Sequence, residues 1–207
     1  MVNAATQKVD ENGSEMAVCR EIVRVLGRRS IVLVGMMGAG KSSIGRRLSA
    51  RLGIPFVDAD TEIENAAGMT IPEIFQMHGE PYFRAGEARV VARLLDGEPG
   101  VLATGGGAVM DPHTRELIAE KSISIWLNAD IDVLVKRTKR RSDRPLVDKM
   151  RDLLPLREPL YAQSDITIHS RDEPHDNIVD DIVSALAKRL GIQLDVAAKE
   201  NAPENTQ

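Results

Sequence analysis

Apolar and polar positions along the chain change period several times, and those changes divide it into elements. Ile31 to Val34 is an unbroken apolar run, mostly β-branched, as a buried strand requires. From Lys41, Ile44, Leu48 and Leu52 recur every four residues, which is one face of a helix. Further strands are predicted at Ile54–Val57, Val101–Ala103, Ile123–Leu127 and Ile166–Ile168. Helices are predicted between them, at Thr61–Ala67 and then from the capping-box pattern Thr70-Ile71-Pro72-Glu73. Others follow at Pro81–Asp96, Pro112–Lys121, Asp130–Arg141, Met150–Gln163 (interrupted by Pro155 and Pro159) and Asn177–Leu190. Before all of these, Met16, Cys19, Ile22, Val23 and Leu26 form a helical stripe over Glu15–Gly27, read as an accessory helix packed on the domain. Residues 1–14 and about 196–207 are polar and aperiodic, and are expected to be disordered.

Alternating strands and helices imply an α/β fold, a parallel sheet with helices on both faces. Ligands of such sheets bind beyond the carboxyl ends of the strands. Three loops lie there: Gly35–Ser42, Asp58–Asp60 and Thr104–Gly107.

Each of the three is chemically unusual. Gly35-Met36-Met37-Gly38-Ala39-Gly40-Lys41-Ser42 fits G-x-x-x-x-G-K-[ST], with a strand before it and a helix after it. Backbone N–H groups of such a turn, and the helix N-terminus behind it, cradle phosphate. Lys41 is expected at the β/γ-phosphates and the Ser42 hydroxyl on Mg²⁺. Asp58 and Asp60, two apart after a strand, would point to one side if extended, and suit Mg²⁺ ligation and a base for a substrate hydroxyl. The alternative is turn and helix-cap chemistry for the same pair. Gly105-Gly106-Gly107 gives a backbone that a ligand can approach closely, or simply a tight turn.

Composition narrows the class. The chain has 207 residues, 43% of them hydrophobic but only 3% aromatic, so one domain with an aliphatic core is expected. A net charge of −4 argues against nucleic acid or an anionic membrane as the main partner. The basic run from Lys136 to Arg144 is the one feature on the other side. Cys19 stands alone, no apolar run approaches a membrane span, and no apolar signal region opens the chain, so a cytoplasmic protein is expected. His78, His113, His169 and His175 have no metal-ligand spacing and read as ordinary surface histidines. Arg84 and Glu87 share a helix face, a second arginine, Arg157, lies between prolines, and Arg144-Pro145-Leu146 opens an irregular, basic segment able to close over a nucleotide.

These residues together resemble the shikimate kinase family. The likeness is carried by GMMGAGKSSIGRRL, FVDAD, FR-x-x-E at Phe83–Glu87, TGGGAV at Thr104–Val109, RPL at Arg144 and REPLY at Arg157, and spans roughly Ser30 to Gly191. The resemblance implies a P-loop NTPase-type three-layer αβα sandwich with a five-stranded parallel sheet of order 2-3-1-4-5 and a lid. The accessory helix at 15–28 lies outside the family's core, and the tails at 1–14 and 193–207 flank the whole; the resemblance implies a kinase domain at 29–192 with its lid at about 140–150. It implies transfer of the γ-phosphoryl group of ATP to the 3-hydroxyl of shikimate, with Mg²⁺, by a monomer.

The matched positions put ATP on Gly38, Ala39, Gly40, Lys41, Ser42 and Ser43. Mg²⁺ falls to Ser42 and, through water, to Asp58. Asp60 becomes the base and a substrate contact, and Arg84 and Arg157 the grip on the carboxylate. Gly105, Gly106 and Gly107 line the substrate, and Arg144 comes down from the lid onto the phosphates as a catalytic residue. The adenine-contacting loop falls near Ser170–His175, with no motif to fix the contact. Gluconate kinases share the phosphate loop but should lack both TGGG and the REPLY arginine. A GTPase-like switch would need N-K-x-D, which the chain does not have.

Overall fold

The computed structural model describes residues 4–138, 149–170 and 173–193, with side chains from residue 13 onward. Five strands, β1 (Ser30–Val34), β2 (Phe56–Asp58), β3 (Val101–Ala103), β4 (Ser122–Asn128) and β5 (Ile166–His169), form one sheet of order β2-β3-β1-β4-β5. Every pairing is parallel, with Ile31 opposite Val101 on one side and Ile123 on the other. The central strand β1 is buried along its whole length, which explains why Ile31–Val34 is continuously apolar rather than alternating.

Between the strands run α2 (Lys41–Leu52), α3 (Ala59–Ala67), α4 (Ile71–Leu95), α5 (Pro112–Lys121), α6 (Ile131–Thr138) and α7 (Met150–Tyr161). The first helix, α1 (Ala4–Leu26), precedes the sheet and the last, α8 (His175–Arg189), follows it. Right-handed crossovers put α2, which moves the chain one way from β1, opposite α5, which moves it the other way from β3. Ile44, Leu48 and Leu52 of α2 join Ile178, Ile182 and Leu186 of α8 in the main core. Cys19, Ile22 and Leu26 of α1 complete that layer, as the stripe implied. A smaller cluster of Ile63, Ile74, Phe83 and Val90 ties α3 to α4.

Several boundaries differ from the sequence expectation. The first helix starts at Ala4, so residues 4–14 are helical rather than disordered. Ala4, Ala5, Gln7, Lys8 and Glu11 are good helix formers even where no apolar stripe marks them. Strand β2 ends on Asp58, and α3 begins at Ala59 rather than Thr61. The two helices expected at 70–77 and 81–96 are both present within α4, separated by the non-helical backbone of Gly79 (φ 81°, ψ 173°) ahead of Pro81. The lid at about 140–150 falls almost wholly, and residues 1–3 and 194–207 entirely, outside the described residues.

Candidate active site

The phosphate loop leaves β1 through three glycines with positive φ, Gly35 (136°), Gly38 (85°) and Gly40 (95°). At Gly38 the requirement is also spatial, since a Cβ there would meet Thr138 Oγ1 at 2.6 Å and the Leu134 carbonyl oxygen at 2.9 Å. Helix α2 starts with Gly40 as its N-cap and no capping side chain, so its first N–H groups are left for a ligand. The Lys41 ammonium is buried and donates to the carbonyls of Gly35 (2.7 Å) and Met36 (3.0 Å). Above the loop lies a cavity of about 230 Å³, walled by Gly38, Gly40, Lys41, Ser42, Arg137 and His175 among others.

Asp58 and Asp60 also line this cavity. They do not project from one strand, as an extended segment would require. Asp58 caps α3 and accepts a hydrogen bond from the Asp60 N–H (3.1 Å), while Asp60 stands in the first turn of that helix. Capping and site chemistry therefore coexist: one Asp58 oxygen holds the turn and the other remains for the cavity. A hydroxyl and a carboxylate are hard oxygen donors, and Mg²⁺ typically takes one or two of these beside phosphate and water. Among the described residues no group of three or more His, Cys, Asp or Glu forms a closed metal cage. Ser42 and Asp58, both lining this cavity, have the oxygen donors that suit Mg²⁺ beside phosphate.

A second cavity of about 390 Å³ adjoins the first, and Ser42, Ser43, Asp58, Asp60 and Gly106 line both. Here α4 and α7 converge. Arg84 donates from Nη1 to Glu87 Oε2 (2.7 Å) and from Nε and Nη2 to Glu80 (3.2 and 3.0 Å). Glu87 is only 2% exposed, and among the described residues its other oxygen has no hydrogen-bond partner. Burial pushes its carboxyl above the ordinary range. Arg84 and Arg157 pull it back, and Asp60 adds to the rise. Arg157 is buried on α7 and donates to the Gly106 carbonyl (3.2 Å). One turn later Tyr161 donates to the same oxygen.

Two of the three glycines of the β3 loop, Gly105 and Gly107, do more than turn the chain. A Cβ on Gly105 would collide with Glu87 Oε1 and stand 3.0 Å from Asp60 Oδ1. One on Gly107 would sit within the Arg84 guanidinium, 2.6 Å from Cζ. Their emptiness lets the carboxylates and the arginine close directly on the backbone.

Most of the expected site residues thus meet at one edge of the sheet. Ala39, within the phosphate loop, is fully buried. Arg144 lies outside the described residues, as do Arg171 and Asp172 of the expected adenine loop. Sequence reasoning passed over Tyr161, although REPLY contains it, and Met36, whose sulfur meets both Tyr161 (3.6 Å) and Arg157 (3.7 Å). It also took His175 for a surface residue, whereas the structure sets it in a cavity wall.

A sequence profile described as shikimate kinase matches residues 37–187. The chain belongs to the shikimate kinase family. It is 62% identical over 172 residues to a shikimate kinase of Rhodopseudomonas palustris, covering 80% of this chain and 85% of that one. A shikimate kinase of Bradyrhizobium diazoefficiens is 61% identical over 176 residues, covering 82% and 85%. Among solved structures, shikimate kinase from Acinetobacter baumannii in complex with shikimate matches with a TM-score of 0.77 at 36% identity, covering 81% of this chain and 97% of that one. A gluconokinase from Sinorhizobium meliloti matches with a TM-score of 0.53 at 21% identity, which is a likeness of fold alone. The profile covers the phosphate loop after Met36, the Asp58–Asp60 and Thr104–Gly107 loops and α7, whereas α1 precedes it.

Proposed function

We propose that the chain transfers the γ-phosphoryl group of ATP to the 3-hydroxyl of shikimate, giving shikimate 3-phosphate and ADP. One observation carries the reading: a phosphate cavity and an arginine-lined acid cavity share a wall that contains Asp60. The open N–H groups of α2 and Lys41 suit the polyphosphate. Arg84 and Arg157 suit the carboxylate of the acceptor, because each planar guanidinium can donate two parallel hydrogen bonds. Asp60, beside both cavities, accepts a hydrogen bond from the acceptor hydroxyl and aims it. That oxygen bonds to the γ-phosphorus as the bond from phosphorus to the β,γ-bridging oxygen breaks, ADP leaves, and the hydroxyl proton passes to Asp60. Ser42 and Asp58 are the residues that would hold Mg²⁺, which neutralises phosphate charge when bound.

The competing reading is phosphorylation of gluconate on the same loop. Gluconate also carries a carboxylate, but a gluconate kinase is expected to lack both the TGGG run and the REPLY arginine, and here Gly105–Gly107 and Arg157 line the acid cavity. Initial rates of ADP formation with shikimate and with gluconate decide between the two. Turnover with shikimate and none with gluconate is expected. Preference for gluconate would overturn the assignment.

A further inference from the structure

His175 opens α8 and forms part of the phosphate cavity wall. Its Nε2 lies 3.8 Å from where a Cβ on Gly40 would stand, so the ring is in contact range of the phosphate loop. Among the described residues its imidazole has no hydrogen-bond partner. Cations approach it from two elements, Arg47 of α2 and Arg137 of α6. Asp176, next to it on α8, opposes them but is itself paired with Arg47 (3.4 Å). Lys41, Asp58 and Asp60 stand on the other walls of the cavity.

A cationic ring is unwelcome in that setting when nothing is bound. Burial holds the imidazole below its ordinary range, the two arginines act in the same direction, and Asp176 acts against them. The positive end of α8 disfavours a cation there as well. A polyphosphate reverses the balance, because negative charge within a few ångströms favours the protonated ring.

We propose that His175 is a ligand of the nucleotide's phosphate chain and takes up a proton as the nucleotide binds, a role that rests on the phosphate cavity being the ATP site. The uncharged ring lets the site stand open among arginines, and the charged ring adds a hydrogen-bond donor once phosphate is present. Nucleotide affinity is therefore linked to pH through a residue outside the G-x-x-x-x-G-K-S loop.

Titration calorimetry with MgADP tests this. Wild type, His175→Asn and His175→Gln are compared at about pH 7, in two buffers of low and high ionisation enthalpy (PIPES and ACES). Protons exchanged by the nucleotide and by Mg²⁺ contribute equally in all three proteins. The dependence of the observed heat on buffer is expected to reveal greater proton uptake by wild type than by either variant. From pH 8 to pH 6 the wild-type Kd is expected to tighten roughly three- to tenfold more than that of the variants. Equal proton uptake and parallel pH profiles, with MgADP still bound, would overturn the inference and leave the ATP site standing. Absence of MgADP binding to wild type would overturn both.

Discussion

The Tyr161 hydroxyl donates a hydrogen bond to the carbonyl oxygen of Gly106. Arg157 donates to the same atom, so one helix fixes the loop that borders both cavities. Tyr161 is buried against Trp126, with ring centroids 6.1 Å apart, and burial pushes its phenol up to about 12. It therefore remains a donor throughout the working pH range. Orientation of the Gly106 peptide, and with it the Arg157 guanidinium, depends on this contact.

Tyr161→Phe keeps the ring and removes the donor. Arg157 still reaches the carbonyl, so the loss of stability should be about 1 kcal/mol. The loosened loop should raise KM for shikimate roughly three- to tenfold, with little change in KM for ATP. Steady-state kinetics with each substrate varied, beside a thermal melt, check this. An equal rise in both KM values would make Tyr161 a general packing residue instead.

Arg84 and Arg157 are 73 positions apart in sequence and reach one cavity from α4 and α7. Replacing either by lysine keeps the charge but loses the fork. It should lower kcat/KM for shikimate by roughly 10²-fold, equivalent to about 3 kcal/mol of charge-assisted hydrogen bonding. Binding of ATP alone should change little. If nucleotide binding fell as far as shikimate binding, the arginines would belong to the phosphate site.

Much of this arrangement was legible in the sequence because its signals are local. The run Ile31–Val34, the glycine spacing from Gly35 to Gly40 and the position of Asp58–Asp60 after a strand each report a short-range requirement. Sheet order came through the family resemblance, not through periodicity, since pairing is a long-range property. What stayed hidden depends on approach in space. The emptiness at Gly107 makes sense only once Arg84 is seen lying across it, and His175 becomes notable only where α8 meets the phosphate loop. Helix-cap chemistry was legible for the pair, but the cap falls on Asp58 rather than Asp60, because α3 starts two residues before the expected Thr61.

Asp165 offers a test of the sheet rather than the site. It accepts from the Ser124 N–H (3.0 Å), the Ser124 hydroxyl (2.9 Å) and Arg189 (3.0 Å), clasping β4 at the start of β5. Burial alone would raise its carboxyl, but these bonds outweigh it and hold the group below the ordinary range. A folded-state pKa below the unfolded one adds stability above the unfolded value, and that stability is lost as pH falls through the folded value. Asp165→Ala should therefore cost about 2 kcal/mol at neutral pH, and less as the pH drops below about 4. Urea unfolding at the two pH values measures this. A cost that did not shrink in acid would mean that packing, not the ionised carboxylate, holds the strands together.

Shikimate-dependent turnover of Asp60→Asn tests the central claim most directly. Asparagine keeps the shape of the side chain in the first turn of α3 and can still accept a hydrogen bond, but it cannot take a proton. The account predicts an intact fold, ATP binding near that of wild type, a modest loss of shikimate affinity and a kcat lower by roughly 10²–10⁴-fold. Turnover within a few-fold of wild type would contradict it, because positioning by the two cavities would then suffice without a base between them.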